Sequence, residues 1–186
     1  MDTANTLIDS LKKICALFNA ENIEFALCGG LAVGMLFRPR ATEDIDLIIA
    51  VDPAKKEFLS NILAKHFKIV DAHKKIMSFK NISIWRVVIE NPNLPNLLVI
   101  IDFVIADREY IKTALAGKMN IEIDNISLPV LTPEDLIIMK TVSDRNIDKM
   151  DIENIIEDNR DSLNFDYINE TLKKMKIDVF IGKKIL

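Results

Sequence analysis

The chain has 186 residues, 49% of them apolar and 28% charged, with a formal net charge of −4 and a pI near 5.3. That balance fits one globular domain of ordinary size with a sizeable core, and it argues against wholesale electrostatic capture of nucleic acid, though not against a local basic groove. No charged-apolar-small leader pattern opens the sequence and no apolar run reaches the roughly 18 residues needed to cross a bilayer, so the expected location is the cytoplasm, with no membrane partner.

In chain order, Leu7, Leu11, Ile14, Cys15, Leu17 and Phe18 recur at helical spacing and predict a helix over 3–20. Residues 19–22 break it, and 23–28 form the first strand, followed at once by Gly29 and Gly30 and a short apolar helix to Leu36. The chain then turns through Arg38 and Pro39 into a second apolar strand, with Asp44 and Asp46 near its start and its end at Val51. Asp52 as N-cap and Pro53 in the first turn open a helix to about His66 that is expected to bury Phe58, Ile62 and Leu63. Strands are predicted over 68–70, 75–79 and 82–89, and the proline and asparagine of 91–96 mark a loop. A strand over 97–105 carries Asp102, and a helix over 107–116 ends at Gly117. Residues 119–124 and 126–130 predict a hairpin about Asp124-Asn125. Thr132-Pro133-Glu134-Asp135 is a helix opening, with a capping threonine, a first-turn proline and an acid three residues on. Helices are predicted over 133–143, 147–158 and 164–175. No linker, repeat or low-complexity run interrupts the chain, and a boundary near residue 131 separates a mixed α/β core (1–130) from a helical C-terminal segment packed on it (131–186). Cys15 and Cys28 lack metal-ligand spacing and read as reduced core residues.

Three acids stand out against this background. In a strand, residues two apart face the same side, so Asp44 and Asp46 point together. A carboxylate at Asp102, inside an otherwise apolar strand, is costly unless it is paired, protonated or bound to a metal. Only five glycines exist in the chain and two of them adjoin at a strand-to-helix turn, where the backbone can approach a ligand and successive N–H groups suit a phosphate. A plain tight turn is the favoured reading of an isolated diglycine, and two aspartates one residue apart mean little alone. Together they suggest a divalent-metal and phosphate site.

The combination of strand, diglycine, short helix, basic residue, Thr42 and Asp44-Ile45-Asp46, with 13 residues between Gly30 and Asp44 and a third acid at Asp102, resembles the signature of the DNA polymerase beta-like nucleotidyltransferases. Arg40-Ala41-Thr42-Glu43-Asp44-Ile45-Asp46 is similar to the form seen in minimal prokaryotic nucleotidyltransferases of the abortive-infection toxin type. Lys140, Arg145, Asp148 and Asp151 resemble that group's helical motif of a lysine, an arginine and two acids. Gly30 departs from the wider superfamily, many members of which carry serine there.

The resemblance implies a nucleotidyltransferase fold, α/β of the α+β kind, with a mixed β-sheet flanked by helices. It implies transfer of a nucleoside monophosphate from a nucleoside triphosphate to an acceptor hydroxyl, with pyrophosphate leaving. Asp44, Asp46 and Asp102 become catalytic metal ligands for Mg²⁺ in a two-metal site, and Gly29, Gly30, Arg40, Thr42 and Lys140 nucleotide-binding residues. Arg38, Arg145, Asp148 and Asp151 become substrate-contacting or structural. The acceptor implied is tRNA or a protein, with a possible cognate antitoxin. Two alternatives stay open: a nucleotidyltransferase acting on a small hydroxylated antibiotic, and a non-catalytic nucleotide- or partner-binding module of the same fold. Blander readings also stand for single residues: Arg38 and Arg40 as caps or partners of Glu43, Lys140 in a surface ion pair with Asp144, and Asp148 and Asp151 on a solvated acidic face. His66 and His73 read as surface residues and Trp85 as a packed strand aromatic. Lys74, Lys75, Lys80 and Arg86 form a candidate basic patch for RNA, or a charged sheet edge.

Overall fold

The computed structural model describes residues 3–79, 82–91 and 93–182. The elements, in order, are α1 (Thr3–Ala20), β1 (Phe25–Cys28), α2 (Gly29–Leu36), β2 (Asp44–Ile49), a 3₁₀ turn (Pro53–Lys55), α3 (Lys56–Ala64), β3 (Ile69–Ala72), β4 (Met77–Phe79), β5 (Ile82–Glu90), β6 (Leu98–Ile105), α4 (Glu109–Ala116), β7 (Met119–Ile123), β8 (Ile126–Val130), α5 (Pro133–Ser143), α6 (Asn146–Asn159) and α7 (Phe165–Lys174). The expected mixed sheet flanked by helices is present. Its strand order is β3-β5-β6-β2-β1-β8-β7, with β4 also on β5, and β2–β6 and β1–β8 are parallel while the other pairs are antiparallel.

Strand alternation decides what each face of the sheet carries. Phe103 on β6 turns into the core, where its ring lies 5.7 Å from Trp85 and 5.9 Å from Phe18 of α1. Its neighbour Asp102 turns to the opposite face. The apolar stripe of α1 foreseen from its spacing is buried throughout, and both cysteines are buried and free. One expectation for α3 is corrected: Phe58 is 53% exposed and Leu59 is buried in its place. Leu59, Ile62 and Leu63 stand at i, i+3 and i+4 and share one stripe, which leaves Phe58 turned off it.

Helix α5 is the pivot of the C-terminal segment. It packs on α2, α6 and α7 and buries residues on nearly every side. Its N-terminus is capped as the sequence indicates, with Asp135 N–H donating to Thr132 Oγ1 at 3.2 Å. The buried Asp135 carboxylate accepts from Thr132 Oγ1 at 2.9 Å and Tyr167 Oη at 2.8 Å, while Tyr110 Oη donates to its main-chain carbonyl at 3.2 Å. One residue thus ties α4 and α7 to the start of α5, which fixes the side chains that α5 presents to the sheet.

Candidate active site

Register across the middle of the sheet builds the site. Arg86 of β5 stands opposite Asp102 of β6, Asp102 opposite Asp46 of β2, and Asp46 opposite Cys28 of β1. Asp44 lies two residues along on the same face as Asp46. One carboxylate oxygen from each of Asp44, Asp46 and Asp102 falls within 4.8 Å of the others. These three residues line a pocket of about 270 Å³ with Gly29, Lys140, Ser143, Arg145 and Asp148 on its polar side and an apolar wall that includes Ile82, Ile84, Val104 and Met139.

Each acid is held differently. Thr42 Oγ1 donates to Asp44 Oδ1 at 2.9 Å. Asp102 is only 7% exposed, and Arg86 grips it with a fork, Nε to Oδ1 at 2.7 Å and Nη2 to Oδ2 at 2.6 Å. Asp46 receives no side-chain donor among the described residues. Its carboxyl is pushed up to about 7, by burial first and then by the charges of Asp44 and Asp102, against the opposing pull of Lys140 and Arg145. It leans over Gly29, whose φ of +67° and lack of a side chain are both required: a Cβ there would collide with the Asp46 carboxylate.

Clustered hard oxygen donors on adjacent strands fit a divalent cation of the magnesium kind. A cation is also the group that would relieve the mutual repulsion expressed at Asp46.

On the helical wall of the pocket, and running back from it, lies a second charged cluster. Lys140 is 3% exposed and donates through Nζ to Asp148 Oδ1 at 3.1 Å and Asp151 Oδ2 at 2.6 Å. Arg145 forks onto Asp148 from Nε at 2.7 Å and Nη2 at 3.1 Å. Arg40 reaches Asp151 at 3.7 Å, and its Nε and Nη1 are buried with no hydrogen-bond partner among the described residues.

Several single-residue readings are corrected by this arrangement. Lys140 does not make a surface pair with Asp144; the left-handed turn at Asp144 (φ 56°) redirects the chain and brings α6 back over Lys140. Asp148 and Asp151 are buried rather than solvated. Arg38 lies away from the pocket, where it donates to Asn154, Glu157 and Asp158 of α6, and neither Arg38 nor Arg40 pairs with Glu43. Strand pairing sets the Arg86 guanidinium on Asp102, while its side chain stays 37% exposed. Lys74 and Lys75 are exposed and Lys80 lies outside the described residues. His66 is exposed, His73 is half-buried with its carbonyl accepting from Trp85 Nε1 at 2.9 Å, and Trp85 is packed as expected. The residues missed from sequence are Arg86 as a partner of the acids, Ser143, and the apolar wall. Alternation of Ile82, Ile84 and Arg86 on β5 signals a shared face, but not which strand that face adjoins.

A family model described as nucleotidyl transferase AbiEii toxin, type IV TA system, matches residues 15–161. The chain belongs to this family. Its membership makes it an enzyme of the nucleotidyltransferase class and of a toxin–antitoxin family. Among solved structures, the fold is shared with an antigenic nucleotidyltransferase-like protein from Paracoccidioides brasiliensis, at 19% identity and a TM-score of 0.62, over 95% of each chain. It is shared too with the antibiotic-resistance factor ANT(2'')-Ia, at 14% identity and a TM-score of 0.56, over 95% of this chain and 93% of that one. The crystal structure of ANT(2'')-Ia with adenylyl-2''-tobramycin gives 16% identity and a TM-score of 0.51, over 88% and 93%. At such identities the likeness is one of fold. No curated protein matches the sequence. In this AbiEii-family chain the acid cluster combines the start of β2 with the middle of β6, and the diglycine turn that opens α2 lies beside it.

Proposed function

We propose that this AbiEii-family protein transfers a nucleoside monophosphate from a nucleoside triphosphate to a hydroxyl of tRNA or of a protein, in a Mg²⁺-dependent reaction that releases pyrophosphate. The observation that carries the reading is the meeting of the Asp44, Asp46 and Asp102 carboxylates within 4.8 Å. Residues 1–130 are the nucleotidyltransferase core in this reading, and 131–186 a helical segment whose α5 closes the pocket.

Asp44, Asp46 and Asp102 would hold the metal, which supplies charge neutralisation at the phosphates and activation of the acceptor hydroxyl. The backbone N–H groups at the start of α2 would meet the phosphates at the Gly29-Gly30 turn, against which the Asp46 carboxylate and the Arg40 guanidinium pack. Arg145, exposed at the rim and lining the pocket, is the cation best placed to meet a triphosphate directly. Lys140 is already occupied by two acids, so its part is to set the field over the carboxylates and to hold α6. The acceptor oxygen bonds to the α-phosphorus as the bond to the pyrophosphate oxygen breaks, and positioning with charge neutralisation supplies most of the rate.

The toxin–antitoxin family supports a cognate antitoxin as a partner, and a triphosphate-dependent reaction on tRNA or protein supports action in the cytoplasm. Purified protein incubated with each labelled triphosphate, Mg²⁺ and either total RNA or cell lysate should label one class of macromolecule. Asp44→Ala and Asp102→Ala should abolish that labelling while the fold, followed by circular dichroism, is kept. Turnover in either variant would overturn the assignment. Triphosphate binding that ignores Mg²⁺, with no transfer to any acceptor, would favour a binding module instead.

A further inference from the structure

Among the described residues, Arg86 is the one cation hydrogen-bonded to a member of the acid cluster, Asp102, and it is placed there by the sheet rather than by a flexible loop. On β5, Trp85 and Val87 turn into the core at 1% and 0% exposure, which obliges Arg86 to face the pocket side. Its register partner on β6 is Asp102, and both carboxylate oxygens are taken by the fork. An ionised carboxylate offers about four lone-pair sites, so a forked guanidinium leaves about two for another ligand. The arginine therefore need not leave for Asp102 to join a cation.

We propose that Arg86 is a positioning residue for the third acid: it pre-sets the Asp102 carboxylate toward Asp44 and Asp46, and its fixed charge keeps divalent-cation affinity below that of three bare carboxylates. The inference rests on the metal reading of the acid cluster. Two effects of opposite sign follow from one side chain. The fork fixes the orientation of Asp102, which turnover requires. The positive charge opposes an incoming cation and weakens its binding, where an anionic or neutral partner behind a metal ligand strengthens it. Free metal is then held loosely, and the anionic triphosphate completes the site.

The test is Mn²⁺ binding to the full chain, followed by electron paramagnetic resonance, in wild type, Arg86→Gln, Arg86→Lys and Asp44→Asn, with the label-transfer kinetics above run in parallel. Arg86→Gln should bind Mn²⁺ more tightly, on the order of tenfold, yet transfer label about 10- to 100-fold more slowly with the triphosphate KM little changed. Arg86→Lys should keep the wild-type Mn²⁺ affinity and still lose kcat, because a point charge does not reproduce the fork. If Arg86→Gln does not fold, Arg86→Lys decides alone by that split. Mn²⁺ binding that is equal or weaker in Arg86→Gln, or full kcat in Arg86→Lys, would overturn the proposal. Failure of the underlying metal reading looks different: wild type would bind no Mn²⁺, or Asp44→Asn would bind it equally well.

Discussion

The guanidinium of Arg40 fills the space above Gly30 that any side chain at that position would need. Arg40 also reaches Asp151, while Arg38 two residues earlier is tied to Asn154, Glu157 and Asp158. The loop that delivers Asp44 to the site is therefore pinned at two points to α6. Glycine at 30 is in this protein a packing requirement of that pin.

Gly30→Ser should accordingly displace Arg40 and loosen the loop from α6, at a cost of about 1–3 kcal/mol by overpacking. Urea unfolding of the single variant against Gly30→Ser/Arg40→Ala checks this. The double variant should cost less than the sum of the two singles, since each removes one side of the same contact. Additive costs would show that the two residues do not share that space.

Gly29→Ala should be worse for the site than Gly30→Ala. The added Cβ meets both a φ of +67° and the Asp46 carboxylate, and a non-glycine residue in such a conformation costs about 1–3 kcal/mol before any collision is counted. Thermal melting with and without Mg²⁺ and triphosphate provides the readout: a lowered melting temperature together with loss of the ligand-induced rise is expected.

The parts legible in the sequence were those set by local chemistry. The stripe of α1, the Thr132 cap, the Asp124-Asn125 hairpin and the shared face of Asp44 and Asp46 all follow from spacing within one segment. What depended on which strand lies beside which was not legible. Arg86 reads as one of several cations near residues 74–86, and only the β5–β6 register shows that it belongs to Asp102. The same holds for Lys140: an i, i+4 partner at Asp144 is the local reading, and the return of α6 after the left-handed residue at 144 supplies Asp148 and Asp151 instead.

Lys140→Met should be among the most destabilising single changes in the helical layer. Asp148 would keep Arg145, but Asp151 would be left buried with only Arg40 at 3.7 Å. Breaking a buried pair by removing one partner costs about 3–5 kcal/mol, whereas replacing both by apolar residues is often neutral. Lys140→Met/Asp151→Leu should therefore recover most of the loss in denaturant unfolding. No recovery would mean that Lys140 supports the fold by some route other than Asp151.

Asp148 gives the acid limb of stability a defined sign. Burial pushes its carboxyl up, but hydrogen bonds from Arg145 and the charge and hydrogen bond of Lys140 outweigh burial and bring it from an ordinary 3.8 down to about 2. Between those two values the unfolded chain holds a proton at this residue that the folded protein does not, so folding stability rises with pH across that window. The contribution is fully present above about 3.8 and is lost as pH falls through about 2. Asp148→Asn removes the titrating group, so the variant should be less stable than wild type at neutral pH and the gap should narrow as pH drops through the window. Urea midpoints measured from pH 5 down to pH 2 test this directly; a gap that stays constant over that range would show that the Arg145–Asp148–Lys140 cluster is not what holds the carboxyl down.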